Sequence, residues 1–357
     1  MKRLIITAVV ICVAVLLAVL LITRNNDTTI EKSVTFKLIK TYGAEAEPKE
    51  ALLSGVYGLE MDSKNNLYFM DRGGRLVSFA SDGSFRWQRN KKGNGPGDLQ
   101  TVRGIAVDGV KYIYLANLNG TRFDKFDLEG KFISSYNLGN NKNAQLTILG
   151  FVKPDLLITG KMLRSRSGWE LFVLEPENNY RIRNQFIIDK TGELKMTEGG
   201  GGIAFDVGVS NNKIVAGSIT DFRLNVYNAE GKEVKEIKKN WNRFYFAFVE
   251  GNAAGIVGDI SIPYHITGDC YLTFTLYPTN IKEAKDVMKE NIKIEFDNII
   301  DIFDEEGNNI FSKQSMGRVS PEIGRPIYSD SEGYLYTFKE TPYPQICKYQ
   351  VIISDKK

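Results

Sequence analysis

The pattern of apolar and polar positions over residues 103–138 predicts four short β-strands in succession. The runs are GIAV, YIYLAN, TRFDKFD and KFISSYNL, and they are separated by Asp108-Gly109, Asn119-Gly120 and Glu129-Gly130. Alternating or β-branched runs of about five residues with such breaks are typical of β-hairpins. A single meander of this kind leaves two open edges, so it needs further copies of itself to bury both faces.

The chain supplies those copies. In three places an Asp precedes a Tyr by six residues: Asp62 and Tyr68, Asp108 and Tyr114, Asp330 and Tyr336. In four places an aromatic residue precedes a Gly by four residues: Phe79 and Gly83, Phe126 and Gly130, Tyr227 and Gly231, Phe303 and Gly307. Each such Gly fits the positive φ of a three-residue hairpin loop with a bulge. Units that begin near residues 55, 103, 148, 203, 259 and 324 predict six blades.

The last unit has only three strands, whereas VTFKLIKTY at residues 34–42 is a strand without a neighbouring partner. We expect this strand to complete the last blade, because a ring closed in this way leaves no open edge. The predicted fold is therefore all-β, a six-bladed β-propeller of four-stranded antiparallel blades. The blades are expected near 55–90, 103–138, 148–188, 203–239, 259–313, and 324–353 plus 34–42. A short helix is predicted for the insertion at 280–291.

The repeat GIAVD-x4-IY-x-A-N…F-D-x-E-G-K-F, which starts at Gly104, resembles NHL-type repeats. The segment GNGPGDL, residues 93–99, resembles the one that precedes this repeat in bacterial six-bladed propellers of the TolB-like group. The resemblance covers roughly residues 34–353 and is strongest in the first two blades and the last. It implies the fold and not an activity, because such propellers include binding proteins, lyases and lactonases.

Residues 4–22 form an uncharged apolar run, long enough as a helix of about 28 Å to span a bilayer. We expect residues 1–24 to be an uncleaved transmembrane signal anchor and residues 25–33 to be a polar tether. Lys2 and Arg3 outnumber Arg24, so the N-terminus should stay in the cytoplasm. The propeller would then lie on the periplasmic or extracellular side of the cytoplasmic membrane. The alternative is a cleaved signal peptide, although the end of the run is a poor cleavage site.

The charge balance argues against a nucleic-acid-binding protein, and the cysteine count argues against a disulfide-stapled scaffold. The chain holds 46 Lys and Arg against 43 Asp and Glu, and the three extra basic residues all lie within residues 1–24. The exported part is therefore near neutral, which argues against nucleic acid as a partner. Three cysteines do not make a disulfide scaffold, although one bond between Cys270 and Cys347 is possible.

Catalytic and metal motifs are scarce. The one histidine, His265, lies in a predicted strand, where a structural role is the usual one. Lyases and lactonases that share this fold rely on several histidines, and no His or Cys cluster for zinc is present. No calcium-loop motif occurs, although Ca²⁺ held in the central channel by several blades stays an alternative. The run at 199–202, GGGG, is more typical of a flexible blade entry than of a phosphate loop. We assign no catalytic residue, no metal ligand and no cofactor.

The long connections between strands should gather on one face of the ring, around the mouth of the channel, where binding sites commonly lie. They include 91–103, 161–169, 190–202, 239–255 and 313–325. The candidate ligand-binding residues in these connections are Arg103, Arg325, Arg72, Arg164, Arg166, Arg318 and Trp241. Arg103 and Arg325 stand just before the first strand of a blade, so they should form a positive rim. The alternative is that these arginines are solvated or paired with nearby carboxylates.

The function that the sequence favours is a membrane-anchored extracytoplasmic binding or interaction scaffold that carries out no chemistry. Its partner would be an anionic small molecule, a glycan or a protein, for example an acidic sugar, a peptide C-terminus or a lipid head group. The alternative is a propeller lyase or hydrolase acting on a sugar, lactone or peptide at the channel mouth. Converging polar groups in the channel would favour the enzyme, whereas the predicted inner strands are mostly apolar.

Overall fold

The computed structural model describes residues 32–45, 48–138, 146–152, 155–163, 168–189, 205–210, 212–218, 223–238, 259–260, 263–279 and 295–355. Within these ranges the chain forms six antiparallel sheets arranged as the blades of a propeller. The predicted anchor at 4–22, the first part of the tether and the helix at 280–291 lie outside the described residues. No helix in the described part of the chain is both long and apolar enough to cross a membrane.

Each blade is one meander, as the repeats predict. Blade 1 contains β2 (Val56–Met61), β3 (Leu67–Asp71), β4 (Leu76–Phe79) and β5 (Phe85–Arg89). Blade 2 contains β6 (Ile105–Val107), β7 (Tyr112–Asn117), β8 (Arg122–Asp127) and β9 (Phe132–Asn137). Blade 3 contains β10 (Thr147–Val152), β11 (Leu156–Met162), β12 (Gly168–Glu175) and β13 (Arg181–Asp189). Short 3-10 turns occupy Lys49–Ala51, Leu118–Gly120 and Pro176–Asn178.

The second half of the ring follows the same plan. Blade 4 contains β14 (Phe205–Ser210), β15 (Lys213–Ser218), β16 (Arg223–Tyr227) and β17 (Glu233–Lys238). Blade 5 contains β18 (Asp259–Ile260), β19 (Tyr264–Ile266), β20 (Cys270–Pro278), β21 (Phe296–Phe303) and β22 (Asn309–Met316), where β18 and β19 both pair with β20. Blade 6 contains β23 (Arg325–Ser329), β24 (Leu335–Lys339), β25 (Gln345–Asp355) and, from the start of the chain, β1 (Lys32–Tyr42).

The ring closes through its first strand, which confirms the expected pairing. β1 runs antiparallel to β25, from Lys32 opposite Asp355 to Tyr42 opposite Ile346. It starts two residues before the predicted strand, so Lys32 and Ser33 belong to the sheet. Tyr42 is buried and lies in the same apolar cluster as Phe79 of blade 1. One strand therefore completes blade 6 and ties it to blade 1.

The Asp and Tyr six residues apart form the turn between the first and second strands of a blade. In blade 1, Asp62 Oδ1 accepts hydrogen bonds from the backbone of Lys64 and Asn66, and Asp62 Oδ2 accepts one from the Tyr68 hydroxyl at 2.9 Å. Asp330 and Tyr336 repeat the arrangement at 3.1 Å. Asp108 also caps its turn, but Tyr114 donates instead to Glu177.

The aromatic and Gly four residues apart form the turn between the third and fourth strands. The strand register shifts at Phe79, Phe126, Tyr227 and Phe303, and the glycines that follow have φ between 77° and 96°. The predicted bulged hairpins are therefore confirmed at all four positions. The turn at Gly130 also packs on the Trp87 ring of blade 1, where a Cβ atom would come within 2.9 Å.

The core consists of apolar layers between neighbouring blades. Five clusters of buried side chains lie between blades 1 and 2, 2 and 3, 3 and 4, 5 and 6, and 6 and 1. Cys270 and Cys347 are buried in the layer between blades 5 and 6 and are both free thiols. Burial raises the pKa of Cys270 to about 11 and also raises that of Cys347. The bond that the sequence allows between them is absent.

Two arginines, the buried Arg122 and the partly buried Arg75, hold the connections between blades. Arg122 donates to the backbone carbonyls of Asn94, Gly95 and Asp98 and pairs with Asp124 at 2.7 Å. The GNGPGDL segment is thus wrapped around a guanidinium of blade 2. Arg75 likewise donates to the carbonyls of Glu50 and Leu52 and pairs with Asp71.

The two faces of the ring differ in the length of their connections. Turns after the first and third strands of the described blades contain at most five residues, and we call their side the tight-turn face. The connections between blades lie on the opposite, loop-rich face, as in residues 43–55 and 90–104. The sequence also predicts longer turns after the second strand of each blade, and this is wrong for blades 1, 2 and 6, where four or five residues suffice to join adjacent antiparallel strands.

Candidate ligand site in the central channel

The first strands of the blades surround a channel that contains two connected cavities. A loop-side cavity of about 320 Å³ lies at the start of these strands, and a turn-side cavity of about 290 Å³ lies at their ends. The two share five lining residues: Glu60, Val209, Ser210, Tyr328 and Ser329. These residues mark the middle of the channel.

The loop-side cavity has an aromatic wall. Tyr57, Trp169, Tyr264 and Tyr328 line it, together with backbone at Gly58 and Gly104. The Tyr264 hydroxyl donates to the Pro326 carbonyl at 3.1 Å, which fixes that ring between blades 5 and 6. A small ligand with an apolar body could stack on these rings, as ligands commonly do in concave sites.

Glu60 is the carboxyl group in the middle of the channel. Its side chain is partly buried in the channel wall, and this burial raises the pKa of Glu60 to about 8, because a low-dielectric surrounding disfavours the charged form. Among the described residues, no cation lies within ion-pair distance of its carboxyl oxygens and no group donates a hydrogen bond to them. A register shift in β2 at Gly58, where φ is 61°, precedes Glu60 by two residues and helps to set its orientation.

Tyr328 faces the same space from the neighbouring blade. Burial and the nearby Glu60 charge both raise the pKa of Tyr328, so its hydroxyl remains protonated throughout the neutral range. The ring packs edge-on against Tyr336 at a centroid distance of 5.8 Å. Glu60 and Tyr328 thus bring two polar, titratable groups from adjacent blades to one point in the channel.

The carboxylates of the turn-side cavity are already occupied by structural contacts. Asp62, Asp108 and Asp330 line it, but each caps the turn of its own blade. Lys348 also lies 3.3 Å from Asp330. Within the described part of the chain, no three His, Cys, Asp or Glu side chains are grouped so that they could hold a metal ion.

Arg103 is the predicted arginine that lines the channel. It is exposed, stands two residues before β6 and contributes to the wall of the loop-side cavity. Its Nε donates to the side-chain oxygen of Asn119, and its backbone N–H donates to Ala116 at 2.7 Å. Among the described residues it has no carboxylate partner. Arg325 is the first residue of β23 on the same face and is also exposed, but it does not line the cavity.

Two other predicted residues, Arg72 and Arg318, do not line either cavity. Arg72 lies 4.0 Å from Glu340 with both side chains mostly exposed, a geometry of little energetic weight. Arg318 stacks on the Phe296 ring at 4.1 Å. Arg164, Arg166 and Trp241 lie outside the described residues. The alternative that loop arginines pair with nearby acids therefore describes Arg72 but not Arg103.

His265 has contacts that fit a packing role. Its ring lies edge-on to Tyr271 at 5.5 Å, and its Nε2 is 3.4 Å from Asp269. Its backbone N–H donates to Ser210 of blade 4 at 3.2 Å. The histidine therefore lies where blades 4 and 5 meet.

Comparison with known proteins shows the fold. No family model matches the chain, and no curated protein matches it in sequence. A member of the DUF4221 family from Bacteroides vulgatus is similar in structure, with 13% identity, 91% of this chain and 100% of that chain covered, and a TM-score of 0.54. A Bacteroides fragilis protein assigned as exported has 11% identity, covers 92% of this chain and 97% of its own, and gives a TM-score of 0.56. The chain is a six-bladed β-propeller with bacterial structural neighbours.

Sequence reasoning missed Glu60 and Tyr328, although the propeller repeats contain the signal for them. The inner strands read GLEMD in blade 1, GIAVD in blade 2 and PIYSD in blade 6. When their final Asp residues are aligned, Glu60, Ala106 and Tyr328 occupy the same position. In blade 2 this position is the fully buried Ala106, so a Glu or Tyr that replaces a small apolar residue in the middle of an inner strand is the signal that sequence reasoning could have used.

Proposed function

We propose that this chain is a membrane-anchored extracytoplasmic propeller that binds a ligand through an anionic group at the loop-side cavity. The observation that supports this function is Arg103, an exposed guanidinium on an aromatic cavity wall, without a carboxylate partner among the described residues. Asn119 orients the guanidinium through Nε, which leaves its other N–H groups to face a ligand. Such a fork suits a carboxylate or phosphate.

The proposed anchor agrees with a ligand site on the loop-rich face. β1 is the fourth strand of blade 6, so Lys32 lies at the tight-turn face, where it pairs with Asp355. If residues 4–22 span the membrane, residues 23–31 can reach at most about 30 Å. The tight-turn face would then be held near the membrane and the loop-rich face would point away from it. The fold is shared with a protein assigned as exported, and the GIAVD repeat resembles those of NHL-type and TolB-like propellers.

The binding proposal is tested with ligand-observed NMR on the detergent-solubilised full chain. Suitable probes are glucuronic acid, glycerol phosphate and a mixture of dipeptides, each compared with an uncharged analogue. Replacement of Arg103 by Gln should weaken the anionic probe that binds best by about 1.5–3 kcal/mol, or about 10- to 100-fold. Arg183→Gln is the matched control, because Arg183 is half exposed on an outer strand. Unchanged affinity in a folded Arg103 variant would overturn the proposal.

The location is tested separately with reporters fused to the C-terminus. A reporter that works only outside the cytoplasm should be active, and one that works only in the cytoplasm should be silent. The reverse result would exclude the proposed orientation without affecting the assignment of the ligand site.

A lyase or hydrolase is the second candidate, and Glu60 is the observation that favours it. A carboxyl group with a pKa of about 8 can exchange a proton with a bound substrate at neutral pH. The same NMR samples test this function, because a reacting probe gives new resonances that should vanish in Glu60→Gln. Probes that bind and stay unchanged favour the binding protein.

A further inference from the structure

We infer that the ligand of the loop-side cavity is a small zwitterion, a free amino acid or a short peptide, whose ammonium group meets Glu60 and whose carboxylate meets Arg103. This inference rests on the proposed function, because it keeps Arg103 as the anion site and adds a second, cationic requirement. It concerns Glu60, a residue that the anion proposal does not use.

The two ionisable residues of the loop-side cavity, Glu60 and Arg103, favour a zwitterionic ligand. Glu60 and Arg103 line one cavity of about 320 Å³, yet they form no ion pair with each other. Among the described residues, neither has a partner of opposite charge. A carboxyl group without a counter-charge inside a protein is costly to ionise. A ligand that carries both charges can neutralise both residues at once.

The aromatic surface around Glu60 favours an ammonium group as the part of the ligand that meets this residue. Tyr57, Tyr264 and Tyr328 line the same cavity, and the electron-rich faces of such rings attract ammonium groups. The Tyr328 hydroxyl, held protonated, can donate a hydrogen bond to the carboxylate that would form. Tyrosine rings beside a carboxyl favour an amine over a neutral sugar hydroxyl.

The positions of Arg103 and Glu60 along the channel indicate which end of the ligand lies deeper. Arg103 stands before β6, at the loop-rich mouth, whereas Glu60 also lines the turn-side cavity and so lies deeper. The ammonium group should therefore enter first, with the carboxylate left at the mouth. The carboxylates of Asp62, Asp108 and Asp330 lie beyond Glu60 and add negative potential at the deep end.

Proton linkage provides an independent signature. Before binding, Glu60 is mostly neutral at pH 7 because burial raises its pKa to about 8. An ammonium group favours the carboxylate, so binding of a dipeptide should release a proton and strengthen as pH rises from about 6 to 7, below the range near pH 8 in which the peptide's own α-amino group loses its proton. The titratable and charged side chains that line the two cavities together with Glu60 are Tyr57, Arg103, Tyr264, Tyr328, Asp62, Asp108 and Asp330. Burial raises the pKa of Tyr57 and of Tyr328, so both stay protonated in this range and the slope belongs to Glu60.

The experiment compares three matched dipeptide libraries on the full chain: free at both ends, N-acetylated, and C-amidated. Members that bind by saturation-transfer NMR are then titrated calorimetrically against the wild type, Glu60→Gln and Arg103→Gln. In the wild type, acetylation and amidation should each weaken binding about tenfold or more. In Glu60→Gln, acetylation should change affinity less than about twofold. In Arg103→Gln, the same should hold for amidation.

The outcomes separate the zwitterion inference from the proposal that the cavity binds an anionic group. If acetylated peptides bind the wild type as well as free ones, the zwitterion inference is wrong and the anion proposal stands. If amidated peptides also bind equally, both proposals fail. If no dipeptide binds while glucuronic acid or glycerol phosphate does, the inference fails alone. Glu129→Gln, a mostly exposed carboxyl paired with Arg86 outside the channel, is the control and should behave as the wild type.

Discussion

Glu60 should make the stability of this propeller depend on pH in an unusual direction. An unfolded chain releases the Glu60 proton near pH 4.5, whereas the folded channel holds it to about pH 8. Between these values the folded state binds more protons, so the wild type loses stability as pH rises. Glu60→Gln removes this effect, because the amide does not titrate.

We therefore predict that Glu60→Gln stabilises the protein at pH 9, by on the order of 3 kcal/mol after allowance for channel water, and changes little at pH 4.5. Thermal unfolding followed by circular dichroism at both pH values measures the difference. Glu129→Gln should show no such pH dependence. An equal shift at both pH values for Glu60→Gln would show that the channel does not hold the carboxyl neutral.

At the residue scale, the sequence locates Arg103 but not its function. Its place just before an inner strand follows from the repeat alone, and the structure puts it on the cavity wall. The partners of Arg72 and Arg318 could not be predicted, because Glu340 and Phe296 are far from them in the sequence. Glu60 was missed because an alternating strand pattern does not show which of its faces lines a channel.

At the element scale, turn chemistry explains why the blades could be predicted. The bulged hairpins and the Asp-capped turns involve residues within six positions of each other, so their sequence pattern is local. Contacts between blades are not local. Gly130 is an example, since its turn contacts Trp87, which lies in the preceding blade.

Two glycines allow the cost of a blade contact to be separated from the cost of backbone conformation. Gly130 and Gly109 have φ of 77° and 81°, but a Cβ atom at Gly109 would meet nothing within 4 Å. Both Ala variants should lose about 1 kcal/mol from the positive φ. Gly130→Ala should lose about 1–3 kcal/mol more, because Trp87 must move. Equal unfolding free energies in urea would show that the contact with Trp87 is unimportant.

At the scale of the whole molecule, the fold depends on one strand from the start of the chain. A chain that begins at Ser54 lacks β1, so β25 becomes an open edge and the contact of Tyr42 with blade 1 is lost. We predict that this chain aggregates or unfolds well below the temperature of a chain that begins at Asp27. Scanning calorimetry and sedimentation of the two proteins compare them. Equal unfolding temperatures would mean that β1 is not needed to close the ring.

The pairing of β1 with β25 also determines how the protein responds to a mechanical load. Lys32 and Asp355 end side by side, so a force that pulls them apart would open the ladder one pair at a time. A force applied to Lys32 along the strand, against the body of the ring, loads every pair of the ladder together in shear. The proposed tether at the tight-turn face would pull in this second direction. The strand that closes the propeller would thus be joined to the proposed tether in the geometry that resists tension best.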